Sequence, residues 1–87
     1  TTVKVVSNGI NVSWGQSAGA TSYTIYRMEY NTKTKKWSSW KNMGSQKSSA
    51  KTWTDKTAKK GVIYRYTVKA VNGKTASTYA ASGNIKR

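Results

Sequence analysis

Val62-Ile63-Tyr64-Arg65-Tyr66-Thr67-Val68-Lys69-Ala70-Val71-Asn72 alternates along its length. Val62, Tyr64, Tyr66, Val68 and Ala70 share one parity, and Arg65, Thr67 and Lys69 share the other. A period of two is the signature of a strand with one face on a core and the other toward water. The residue types agree, because β-branched and aromatic side chains fit a pleated, half-buried surface. Asn72-Gly73 follows, a two-residue hairpin signal. It predicts a turn into a partner strand over Lys74–Ala81, with Thr75, Ser77 and Tyr79 on the Tyr66 side.

The same signal occurs near the start, where Asn8-Gly9 separates Val3–Ser7 from Ile10–Trp14. Pairing Ser7 with Ile10 sets Val5 opposite Val12 and Val3 opposite Trp14, and all these apolar side chains then share a face. Between the hairpins, Tyr23–Tyr30 reads as a strand with Tyr23 and Ile25 inward and Tyr26, Met28 and Tyr30 outward. A lysine-rich loop over Asn31–Lys36 leads to an expected strand around Trp37–Met43. Gly44–Lys51 is polar, with no strand signal of its own, and a short strand is expected at Thr52–Asp55. Seven short strands with turn signals about every eight to twelve residues predict an all-β, antiparallel sandwich.

Composition supports this and narrows the chemistry. The 87 residues fit one domain, 1–87. Leu, Phe and Pro are absent, while four Trp and six Tyr supply an aromatic core without cystine staples. With no Cys and no His, disulfides, zinc sites and histidine-based catalysis drop out, and no cofactor is implied. Sixteen basic residues, thirteen of them Lys, face two acids, for a net charge of +14. That charge bears on partners and solubility rather than on fold. Apolar runs are far shorter than the roughly 20 residues of a membrane span, so no membrane insertion is expected. Thr1-Thr2 does not resemble a signal peptide, and the chain reads as a mature or excised module.

The run Ile10-Asn11-Val12-Ser13-Trp14, followed by Tyr23-Thr24-Ile25-Tyr26-Arg27, resembles strands B and C of a fibronectin type III domain. Trp53 to Gly61, followed by Val62 to Asn72, resembles strand E, the E–F corner and strand F of that family. The resemblance covers essentially the whole chain. It implies a seven-stranded, immunoglobulin-like sandwich with Trp14, Tyr23, Trp53, Tyr64, Tyr66 and Val68 in the core. Tyr64 takes the place of the tyrosine-corner residue, whose hydroxyl bonds back to the backbone near Ala58. Ala58 stands where the family usually has Leu, and Lys60 where it often has Pro. No Arg-Gly-Asp sequence is present, so integrin binding through that motif is not implied. The wording around Gly19–Arg27 and Tyr64–Asn72 is most similar to modules of secreted, multidomain proteins of Gram-positive bacteria. The resemblance therefore implies an extracellular or cell-surface, non-catalytic accessory module, a spacer first and an interaction domain second, a monomer whose partners are neighbouring domains.

Catalysis finds little to work with. Only Glu29 and Asp55 carry carboxylates, and a glycosidase needs two flanking one bond. Asp55 reads as a turn residue accepting local backbone hydrogen bonds, and Glu29 as a solvated partner of lysines. No catalytic or metal-binding residue is assigned. Candidate ligand contacts are the aromatics left outside the inferred core, Tyr26, Tyr30, Trp37 and Trp40, with Arg65 and Lys69 as donors of the same outward parity. They suit a polysaccharide, which stacks on exposed rings, or an anionic cell-wall polymer. The alternative use of such rings is mutual burial as cross-strand pairs. A separation of three puts Trp37 and Trp40 on opposite faces of a regular strand, so only one is expected to be more than half buried. Lys33, Lys35, Lys36 and Lys41 cluster near these rings, a pattern shared with single-strand nucleic-acid binders. Charge alone, however, predicts only nonspecific, salt-sensitive binding, and a specific nucleic-acid partner is not expected.

Overall fold

A computed structural model describes residues 1–15, 19–72, 75–78 and 82–87. The described residues form antiparallel strands and no helix. In chain order the strands are β1 (Thr2–Val6), β2 (Gly9–Ser13), β3 (Ser22–Asn31), β4 (Lys36–Trp37), β5 (Lys41–Lys47), β6 (Thr52–Asp55), β7 (Ile63–Asn72), β8 (Thr75–Thr78) and β9 (Ile85–Lys86). One sheet has the order β1-β2-β6. The other has the order β4-β3-β7-β8, with β5 also on β3 and β9 also on β7.

The core draws on both sheets, which gives the molecule a sandwich-like character. Ile10 and Val12 of β2, Tyr23 and Ile25 of β3, and Tyr64, Tyr66, Val68 and Ala70 of β7 form one buried cluster with Trp14 and Ala58. The Trp14 and Tyr23 rings lie 5.6 Å apart and tilted, a favourable aromatic geometry. Trp53 differs from expectation. It lies opposite Val12 on the inward face and packs on this cluster, but is only partly buried, since β6 is the edge of its sheet.

The first hairpin is displaced by two residues from the sequence reading. Val6 pairs with Gly9, Val5 with Ile10 and Val3 with Val12, so the turn is Ser7-Asn8 and Gly9 belongs to the strand. The reason lies across the sheet. A Cβ on Gly9 would stand 2.1 Å from the carbonyl oxygen of Asp55, so glycine is used for close backbone approach to β6 rather than for the turn. The second hairpin is also displaced by two, in the opposite sense, with Asn72 paired to Thr75 and Ala70 to Ser77. Gly73, Lys74 and Tyr79, on which part of that expectation rests, lie outside the described residues. A shift of two preserves parity, so the assignment of faces along β2 and β7 survives in both cases.

The expected strand at Trp37–Met43 is two strands, and β5 runs on through the polar Gly44–Lys47 that had no strand signal. Pairing to β3 supplies what local propensity does not: Ser45 opposes Thr24 and Gln46 opposes Tyr23. The register shifts between Ile25 and Tyr26, where β5 carries an extra residue. Gly44 at φ 115° and the hydrogen bond from its N–H to Asn42 Oδ1 (2.8 Å) accommodate that bulge.

Candidate functional site

Two constellations stand out, one inside the sandwich and one on its outer face. The inner one centres on Asp55, at the end of β6, which has no exposed surface. Its Oδ2 accepts from Arg27 Nη1 (2.8 Å) and the Tyr66 hydroxyl (2.6 Å), and its Oδ1 from the Thr57 N–H (3.0 Å) and hydroxyl. The Thr57 N–H bond is the local turn contact expected from sequence, but the carboxylate also ties β6 to β3 and β7. The Arg27 side chain is itself 12% exposed, and its guanidinium lies 4.9 Å from the Tyr64 ring centre. Burial pushes the Asp55 carboxyl up, but hydrogen bonds from Thr57, Tyr66 and Arg27, with the Arg27 charge, outweigh it and hold the group below its ordinary value. Burial and the adjacent carboxylate push the Tyr66 hydroxyl far above its usual range, so it stays protonated and donates to Asp55. Next to this cluster the Tyr64 hydroxyl accepts the Lys59 backbone N–H at 2.8 Å, one residue beyond Ala58.

Sequence reasoning missed this cluster, although the signals are present. Arg27 shares the inward parity of Tyr23 and Ile25, and a charge placed inward calls for a buried partner. Tyr66 has a hydroxyl on a core-facing position, which also requires one.

The other acid is solitary. Glu29, exposed on β3, lines a depression of about 510 Å³ with Tyr30, Asn31, Thr32, Lys33, Lys59 and Val62. No second carboxylate lines it.

The outer constellation lies on the far face of the larger sheet. Register sets Met28 opposite Arg65, Tyr26 opposite Thr67 and Tyr30 opposite Trp37. Tyr30 and Trp37 lie 5.1 Å apart with their planes inclined at 60°. The Arg65 guanidinium lies 4.7 Å from the centre of the Trp37 ring, and the Lys69 ammonium 5.0 Å from that of Tyr26. Arg65 Nε also donates to Asn84 Oδ1 at 2.6 Å. Five of the six candidate contacts are thus brought together. The sixth, Trp40, lies in the link between β4 and β5, 40% exposed, with no ring contact among the described residues. Trp37 is of intermediate burial, so both tryptophans are more than half covered and the expectation that only one would be fails. Its premise was a single regular strand, and the chain leaves the strand between them.

No protein-family model, curated protein or solved structure matches this chain. No helix among the described residues is long and apolar enough to cross a membrane.

Proposed function

We propose that the chain is a non-catalytic interaction module, resembling a fibronectin type III domain, of an extracellular or cell-surface bacterial protein with further domains. The observation that carries this reading is the state of Asp55. Its carboxylate is fully buried and already accepts from Arg27, Tyr66 and Thr57, so it has no access to a substrate and cannot complete an acid/base pair with Glu29. Strand order supports the resemblance. The strands read as B and E, β2 and β6, are neighbours in one sheet, those read as C and F, β3 and β7, are neighbours in the other, and the Tyr64 hydroxyl meets the backbone next to Ala58. The outer face then provides the binding surface, while the inner carboxylate serves the fold.

The test is turnover. The purified chain, incubated with panels of neutral and acidic polysaccharides and peptides, leaves them intact by product analysis. Cleavage that disappears in Glu29→Gln or in folded Asp55→Asn protein overturns the reading.

A further inference from the structure

We propose that the outer face of β3, β4 and β7 binds a linear, carboxylate-bearing polysaccharide, with Arg65 as the principal contact and Lys69 as the second. This rests on the chain being a non-catalytic interaction module, and names the class of partner.

Arg65 is held before any ligand arrives. Trp37 supports its plane at 4.7 Å, and Asn84 Oδ1 accepts a hydrogen bond from its Nε–H at 2.6 Å. The two terminal nitrogens have no partner among the described residues, and they form the edge of the fork that meets a carboxylate bidentately. A guanidinium fixed on two sides loses little freedom on binding, which is where exposed flexible cations lose affinity. Lys69 is similarly steadied over Tyr26.

The charge on this face has one sign. Asp55 lies inside, paired with Arg27, and Glu29 lies on the opposite parity of β3 from Tyr26, Met28 and Tyr30. Lys47, exposed on β5 and set opposite Ser22 of the same parity as Tyr26, adds further positive charge to this face. Arg65 and Lys69 are four residues apart on one strand and one face, hence about 13 Å apart along β7. A single small anion cannot meet both, whereas an extended polymer can.

The rings argue for recognition by charge rather than by stacking. Trp37 carries Arg65, Tyr26 carries Lys69, and Tyr30 meets Trp37 at 60°, so no row of open, coplanar faces is available. Nucleobases and neutral sugars bound by stacking need such a row. An acidic polysaccharide needs only the fork and the second charge.

The experiment is equilibrium binding at low salt to fluorescent polygalacturonate oligomers, with methyl-esterified oligomers and oligo(dT) of equal length as comparators. Wild type binds polygalacturonate and not its ester. Arg65→Gln weakens binding about tenfold, Arg65→Lys, which keeps the charge but not the fork, about three- to fivefold, and Lys69→Gln about threefold. Lys56→Gln, the same charge change at an exposed corner site, changes it less than twofold. Equal losses in Arg65→Gln and Lys56→Gln, an unaltered affinity in Arg65→Lys, absence of binding, or tighter Arg65-dependent binding of oligo(dT) each overturn the proposal. None of these touches the non-catalytic reading, which fails only if the oligomer is shortened.

Discussion

At Asp55, three side chains and a backbone N–H converge on one carboxylate that water does not reach. Such a group is strongly destabilising once a partner is lost, because what remains is an uncompensated buried charge. Its pH dependence has a definite sign. The folded-state value lies below the unfolded one of about 3.9, so the contribution is complete above that pH and is lost as pH falls through the folded value. Asp55→Asn should therefore cost about 3 kcal/mol at neutral pH and flatten the decline in stability below about pH 4, read from urea unfolding at a series of pH values. Equal acid sensitivity in variant and wild type would contradict this. Tyr64→Phe removes the hydroxyl that accepts the Lys59 N–H and leaves that donor short of its partner. A loss of about 1–3 kcal/mol with the fold retained is expected in the same assay.

Strands depend on neighbours as well as on their own residues, and this sets how much of the molecule was legible in advance. Face assignment was legible: Tyr64, Tyr66 and Val68 are inward and Arg65 and Lys69 outward, because parity survives a register shift of two. Register itself was not, since Asn8-Gly9 also has to satisfy β6, a strand more than 40 residues away. Nor was the second half of β5, whose polar residues pair with β3 without any local preference for doing so. In the candidate site, Tyr26, Arg65 and Lys69 followed from parity. Seating Arg65 on Trp37 needed β4 to meet β3, and Asn84 came from the far end of the chain. Gly9→Ala tests the corrected register. Its new methyl group meets backbone on β6, which cannot swing aside as a side chain could, so a loss of about 2–4 kcal/mol is expected in thermal or urea unfolding. If Gly9 were instead the second residue of a type I′ turn, the change would cost only the left-handed penalty of a side chain, about 1–2 kcal/mol.

Over the whole molecule the charges are sorted by role. The one ion pair among the described residues is inside the sandwich, where Arg27 and Asp55 neutralise each other and tie the sheets together. The remaining cations outnumber the one remaining acid, Glu29, so the net charge of +14 is presented to solvent and to partners. The central claim is that the inner carboxylate serves the fold while the outer β3-β4-β7 face serves binding. Backbone amide shifts of the isotope-labelled chain, followed as polygalacturonate oligomers are added, test it most directly. The account predicts shifts concentrated at Tyr26, Met28, Tyr30, Trp37, Arg65 and Lys69, with the oligomers unchanged in length. Shifts centred on Glu29 or on β1, β2 and β6, or oligomers shortened during the titration, would contradict it.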